Sequence, residues 1–270
     1  AYTRMESNDF NVIYAFDISA KKEYAVTDKW YGSSSPAFSK DGKYLIFSSD
    51  RDFNPIYGRK EWNHVYTTSG GVYLALLSKD TPSPFLQKDA EVKVEGEKDA
   101  KAADDKKTDA EKKDAGVTVK IDFDGIGDRI IKLPVSTGYY WGFYANGDKV
   151  YYNKQGAAMV YDLKTQKEET VADGGASMYV NNTDKKALFF KGGQVYVTNI
   201  PTGKADLKEA VNMKNMKIAT DYPQEWAQIF DEAWRVYRDG FYVENMHGVD
   251  WKAIKKKYEV LLPYVKTRLD

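Results

Sequence analysis

The sequence predicts a mainly β chain of repeated antiparallel hairpins, followed by two C-terminal α-helices. Three observations carry this. With 21 Tyr, 12 Phe and 6 Trp in 270 residues, the composition favours sheet over helix. An apolar strand, a polar turn and a second apolar strand recur at Pro36–Ser48, Trp141–Tyr152 and Met178–Phe190. Beyond Asp221 the apolar spacing changes to a helical period.

Taken in order, Asn11–Asp17 and Glu23–Thr27 read as short strands around a polar turn. Between Pro36 and Asp52 the AspGly pair at 41–42 separates two apolar segments, a strong hairpin signal. Small residues at Ser48 and Ser49 suit close approach of neighbouring sheets. The copies at 141–152 and 178–190 are each followed by a further strand pair, residues 158–163 with GluGluThrVal, and 194–199 with its successor. Two insertions interrupt this order. Lys88–Asp114 is almost wholly Lys, Asp, Glu and Ala, without an aromatic residue or an apolar face to bury, and reads as a disordered solvated loop. Phe53–Gly70 carries Tyr57, Trp62 and Tyr66 and reads as an ordered rim loop.

In the last fifty residues, Trp226, Ile229, Phe230, Ala233, Val236, Tyr237 and Phe241 form one helical face. Asp221 and Gln224 resemble a capping box, Pro223 suits the first turn, and Gly240 ends the helix. Asp250 caps a second helix with Trp251, Ile254, Tyr258, Leu261 and Leu262 on one side, which Pro263 bends or stops. Helices this rich in Trp and Tyr need a large apolar surface to lie on.

Lys plus Arg and Asp plus Glu both number 40. That balance argues against a nucleic-acid partner, which needs a basic surplus on one face. The absence of Cys excludes disulfides, thiolate metal sites and a cysteine nucleophile. No apolar stretch approaches the ~18 residues of a membrane span. The opening AYTRMESNDF is expected to be an internal start, of a cut or processed chain.

Candidate chemistry is sparse. Gly32-Ser33-Ser34-Ser35-Pro36 puts Pro36 where a nucleophile elbow needs its second Gly. His64 lies in the aromatic loop and His247 in the AsnMetHisGly link, neither in a spaced metal motif. His247 reads as a packing residue at a helix–helix turn, and His64 stays more open because it sits in a loop. Asp50 and Asp52 could be imagined as a glycosidase pair, but Asp50 with Arg51 more simply makes a blade-edge ion pair. Residues 125–129, GlyIleGlyAspArg, lack the third Gly and helix of a dinucleotide loop and read as a turn.

The wording PAFSKDGKYLIFSSDRD resembles the propeller repeat shared by tricorn-type peptidases, TolB-like proteins and prolyl oligopeptidases. EWAQIFDEAWRVYRDGFY followed by NMHGVDWKAIKKKYEVLLPYV resembles the segment joining propeller to catalytic core in tricorn-type serine peptidases. The resemblance implies a partial β-propeller of four-stranded antiparallel blades over 1–212, with 221–270 opening the peptidase core. The step from Trp141 to Met178 is close to the roughly 40–50 residues of a propeller blade. The units 11–27, 36–135, 139–172 and 176–212 make about three and a half blades, fewer than most closed rings. In that family the catalytic His follows the two linker helices, and the nucleophilic Ser lies beyond a PDZ-like domain. No catalytic, cofactor-binding or metal-binding residue is therefore carried onto this sequence, and no cofactor is expected.

The implied partners are peptide substrates of a parent enzyme, the rest of its propeller and its catalytic domain, with a homo-oligomer left open. Periplasm and cytoplasm both remain open. A stand-alone TolB-like binding propeller is the alternative. A prolyl-oligopeptidase propeller would predict a GxSxG motif and does not fit the helical tail.

Overall fold

The computed structural model describes residues 1–52, 56–57, 64–65, 68–86, 119–181 and 185–270, with the backbone alone at 56–57 and 64–65. Lys88–Asp114, read above as a disordered loop, lies outside the described residues. The chain divides into two compact units, Ala1–Val211 and Asn212–Asp270.

The first unit is a series of antiparallel sheets, each built from strands in chain order, with one small hairpin inserted into the second. Sheet I has β1 (Tyr2–Met5), β2 (Asn11–Asp17) and β3 (Lys22–Ala25). Sheet II has β4 (Ser33–Phe38) and β5 (Tyr44–Ser49). A small separate hairpin, β6 (Ile56–Tyr57) with β7 (His64–Val65), intervenes before β8 (Gly71–Leu76) and β9 (Ile130–Lys132) complete sheet II. Sheet III has β10 (Tyr140–Asn146), β11 (Lys149–Lys154), β12 (Ala157–Asp162) and β13 (Lys167–Ala172). Sheet IV has β14 (Ser177–Asn181), β15 (Lys186–Lys191) and β16 (Gln194–Asn199). The mainly β, blade-like class expected from the sequence is what the chain adopts, and the three recurring hairpins are β4–β5, β10–β11 and β14–β15.

Two elements differ from expectation. Sheet I, expected as a half-blade over 11–27, is a three-stranded sheet, because β1 pairs with β2 from Tyr2↔Tyr14 to Met5↔Asn11. Cross-strand contacts hold it: the Tyr2 and Tyr14 rings stack at 5.9 Å, and the Arg4 guanidinium lies 3.9 Å from the Tyr14 ring centroid. Among the described residues sheet IV has three strands and no fourth. The segment after β16 instead bonds Ala205 N to Val171 O of β13 at 2.8 Å, and Val211 N to Val195 O of β16 at 2.7 Å. Divided between two strands, it aligns with neither.

Packing between sheets follows from strand alternation. Along β8, Val72, Leu74 and Leu76 enter a core shared with sheet III, while Tyr73, Ala75 and Leu77 at its end enter one shared with sheet I. In β5, Tyr44 and Ile46 face sheet III, and Leu45 and Phe47 face sheet I. A third core joins sheets III and IV through Tyr144, Tyr151 and Val160 on one side and Met178 and Phe189 on the other. Truncating a buried Phe such as Phe47 or Phe189 to Ala typically costs ~3–5 kcal/mol.

The AspGly turn is built as the sequence suggests. Gly42 has φ 70°, and the buried Ser39 hydroxyl accepts from Lys43 N at 3.1 Å and Tyr44 N at 2.9 Å while donating to Asp41 at 2.7 Å. Further along, sheets II and III share a device the pattern did not announce. One extra residue enters β4 between Ser34 and Ala37, and one enters β10 between Trp141 and Tyr144. Each bulge begins at a left-handed residue, Ser35 at φ 57° and Gly142 at φ 67°. At Gly142 a Cβ would lie 2.6 Å from Asn153 Nδ2.

That amide is fully buried and joins two sheets: Met178 N donates to Asn153 Oδ1 at 2.7 Å, and Asn153 Nδ2 donates to Met178 O at 3.0 Å. Replacing Asn153 by Ala should strand both Met178 backbone groups and cost roughly 1–3 kcal/mol. Urea unfolding checks this, with a lowered midpoint and unchanged slope as the expected result.

In sheet I, Glu6 accepts from Tyr14 Oη at 2.6 Å and Lys29 Nζ at 2.7 Å, with Arg4 alongside. The Lys29 and Tyr14 hydrogen bonds, helped by Arg4, hold its carboxyl down at about 2, from 4.5. A lowered carboxylate pKa contributes stability above its unfolded value that is lost as pH falls toward the folded one. An acid titration should therefore show Glu6→Gln removing part of the stability change between pH 4.5 and about 2, with little difference in that slope above 4.5.

Candidate functional site

The serines at 33–35 and the acids Asp50 and Asp52 lie where β5 ends and β4, β8 and β10 begin. Ser33 Oγ donates to Ser49 Oγ at 2.9 Å, and the Ser34 and Ser48 hydroxyls lie 2.9 Å apart, forming a ladder across β4 and β5. These hydroxyls satisfy one another, and among the described residues no histidine side chain is their partner. Ser35 is exposed and occupies the left-handed bulge position. The run thus does the work of a bulge and a strand-to-strand polar seam.

Arg51 organises the same end. It does not pair with Asp50: its Nη2 lies 3.0 Å from Asp28 Oδ2, and its Nε donates to Ser49 Oγ at 3.1 Å. Its guanidinium lies 5.5 Å from the ring centroids of both Tyr31 and Tyr73. Asp52 pairs with Lys132 across the sheet. Burial, reinforced by the Asp52 charge, pushes the Tyr73 phenol up to about 12, so it stays protonated at neutral pH. Asp50 is raised by desolvation against a hydrogen bond from Ser69. With Asp52 neutralised by Lys132 and Asp50 engaged by Ser69, the two acids do not act as a matched pair.

Glycines set the closeness of this corner. Gly138 N donates to Gly70 O at 2.9 Å, and a Cβ on Gly70 would lie 2.2 Å from Gly138 O. A Cβ on Gly32 would stand 3.1 Å from Asp50 Oδ2. Trp30 and Tyr139 are exposed nearby in sequence to this corner, with Tyr139 tilted on Trp141 at 5.3 Å. The turn at 125–129 is a single 3-10 turn with Gly125 at φ 67°, and Arg129 donates to Leu76 O at 3.2 Å and Asp124 O at 2.9 Å. His64 lies on β7 opposite Tyr57, and its side chain falls outside the described residues.

The second unit contains α1 (Tyr222–Gly240) and α2 (Trp251–Glu259). Asp221 caps α1 by accepting from Gln224 N at 3.4 Å, while Gln224 Nε2 returns to the Asp221 carboxylate at 2.9 Å rather than to its backbone. Asp250 caps α2 through Ala253 N at 2.9 Å. The helices are locked by a reciprocal pair the sequence did not reveal: Trp234 Nε1 donates to Trp251 O at 2.9 Å, and Trp251 Nε1 to Trp234 O at 3.1 Å. Lys255 adds an ion pair to Asp231 at 2.7 Å. His247 sits in the intervening turn, φ 55°, after Met246 at φ 50°. Its ring lies 2.5 Å from Tyr242 Oη and packs edge-on to Phe241 at 5.7 Å, the packing role expected for it. An apolar groove of about 550 Å³ runs along Trp226, Ile229, Phe230, Ala233, Leu262 and Val265.

Among the described residues no group of three or more His, Asp or Glu side chains could hold a metal ion, and no helix is long and apolar enough to cross a membrane. Replacing Gly70 by Ala should lower the melting temperature more than Gly127→Ala, whose Cβ meets nothing within 4 Å. Differential scanning calorimetry of the two variants measures this, and equal losses would contradict the close approach.

Residues 1–201 match the family of the tricorn protease second β-propeller domain, and residues 222–270 match the tricorn protease C1 domain. "Tricorn protease homolog 1" of Streptomyces coelicolor is 28% identical over 262 residues, covering 87% of this chain and 24% of that protein. The "Putative Tricorn-like protease C-terminal subunit" of Sulfurisphaera tokodaii is 28% identical, covering 100% of this chain and 31% of that protein. "Tricorn protease" of Thermoplasma acidophilum is 24% identical over 96% of this chain and 23% of its own length. A crystal structure of the tricorn protease shares the fold, with a TM-score of 0.66 at 19% identity over 99% of this chain and 27% of that one. The chain thus spans about a quarter to a third of the length of these relatives.

Proposed function

The chain belongs to the tricorn protease family, and from that membership we propose that it is a non-catalytic propeller and linker portion of a serine peptidase that degrades peptides. Its blades guide or gate peptide substrates, and its helices open the catalytic core. The observation that carries this reading is the tandem order of the matches, a second-propeller domain over 1–201 followed directly by a C1 domain over 222–270. A free-standing binding propeller has no use for the second.

Two surfaces support the reading. The outward face of sheet IV exposes Tyr179, Phe190 and Val197, each at about half its full area. The corresponding faces of β5 and β8 are buried on both sides. Further blades, for which the longer relatives have room, would cover it. The groove between α1 and the turn at Leu262–Tyr264 has the apolar lining on which more of a catalytic core would lie. Acyl transfer needs an activated nucleophile and donors aimed at the oxyanion, one such donor being worth ~10²–10³ in rate. Ser33 and Ser34 are engaged with Ser49 and Ser48, and His247 with Tyr242.

Incubating the purified chain with a fluorogenic peptide library and a serine-directed fluorophosphonate probe tests the proposal. The expected result is weak peptide binding at most, no turnover and no labelled serine. Stoichiometric labelling of one serine, abolished by replacing His64 or His247, would make this chain an enzyme in its own right.

A further inference from the structure

Between sheets II and III lies a polar cluster that neither the fold nor the proposed function accounts for. Tyr140, Tyr152 and Tyr161 are all nearly fully buried, at 1%, 0% and 1% exposure. Tyr140 Oη donates to Ser136 O, and Tyr152 Oη donates to Glu168 Oε1 at 2.7 Å. Lys154 Nζ reaches the same Glu168 oxygen at 3.3 Å and the Ser136 hydroxyl at 2.7 Å. Tyr161 differs: its hydroxyl is enclosed and meets no protein donor or acceptor.

A buried hydroxyl left unsatisfied carries a desolvation cost comparable to a lost hydrogen bond, and native interiors rarely tolerate it. The surroundings supply what such a group needs. Tyr161 and Glu168 stand directly opposite each other on β12 and β13, so their side chains leave the same face of sheet III. Val150 of β11 is the other neighbour of Tyr161, and Tyr152, two residues along, brings its own hydroxyl to Glu168 on that face. Tyr152 and Lys154 both donate to Oε1 of the carboxylate, and among the described residues no side chain donates to Oε2. A buried donor with no protein acceptor and a partly exposed carboxylate, its side chain 25% exposed, thus leave the same face of sheet III. A water molecule accepts from the first and donates to the second, and buried waters typically link two to four such groups.

We propose that a single ordered water is bound beside Tyr161, accepting its hydroxyl proton and donating to the Glu168 carboxylate. The water completes a network from Ser136 through Lys154, Glu168 and Tyr152 to Tyr161 and ties β12 to β13 at the sheet II–sheet III contact. No side chain of sheet II substitutes for it: the Tyr161 hydroxyl has no protein partner, and beside Tyr44 the sheet II residues in this core, including Val72, Leu74 and Leu76, are apolar.

The sign of one substitution decides the matter. If the water bridges, Tyr161→Phe breaks a satisfied link and lowers the melting temperature, by about 2–4 °C for each hydrogen bond's worth of stability in a chain of this size. If the hydroxyl is an orphan, the same change removes an uncompensated polar group and leaves the melting temperature unchanged or raised, which overturns the proposal. A double-mutant cycle of Tyr161→Phe with Glu168→Gln adds a second reading: non-additive losses support the bridge, and strict additivity contradicts it. A high-resolution crystal structure of the chain should show a solvent peak within hydrogen-bonding distance of Tyr161 Oη. An empty, well-ordered site there would likewise overturn it.

Discussion

Strands buried on both faces are the constraint from which the rest of the propeller unit follows. β5 and β8 send alternate side chains into two different cores, so each holds one neighbour on either side. A two-faced strand cannot carry the polar alternation of a surface sheet, which is why TyrLeuIlePhe at 44–47 and ValTyrLeuAlaLeu at 72–76 read as unbroken apolar runs. It also ties stability to neighbours: sheet II is complete only because sheets I and III lie against it. Sheet IV, flanked on one side, shows the other case, with Phe189 at 0% exposure and the adjacent Phe190 at 48%.

Where sheets III and IV meet, a buried polar side chain is admitted with its partners. Asn153 acts as a piece of backbone, exchanging two hydrogen bonds with Met178 as a neighbouring strand would. Its room comes from the bulge at Gly142, where any side chain would strike its amide. The serine ladder of sheet II solves the same problem with smaller groups, Ser34 and Ser48 facing each other across the equivalent bulge. These serines, the most nucleophile-like wording in the sequence, are explained by this seam.

How much of this was legible depended on range. Local chemistry was readable: the AspGly turn at 41–42, the strand Asn11–Asp17, and the caps at Asp221 and Asp250 all rest on contacts within a few residues. Contacts set by distant partners were not. β1 exists because Tyr2 and Arg4 find Tyr14, a relation no periodicity over four residues can signal. The same holds for the Arg51–Asp28 pair, where adjacency suggested Asp50, and for the reciprocal Trp234–Trp251 lock. The absence of a fourth strand from sheet IV was equally hidden, since the segment's pairing is divided between β13 and β16. At the candidate site the residue types were all in view, but their engagement with one another appears only in three dimensions.

Native-state hydrogen exchange tests the dependence on neighbours most directly. Amides of β5 and β8, flanked by a packed sheet on each face, should exchange slowest, near the rate set by unfolding of the whole unit. Those of β14–β16, covered on one face, should exchange faster through partial opening. Equal protection across β5, β8 and β14–β16, or slowest exchange in sheet IV, would contradict the account.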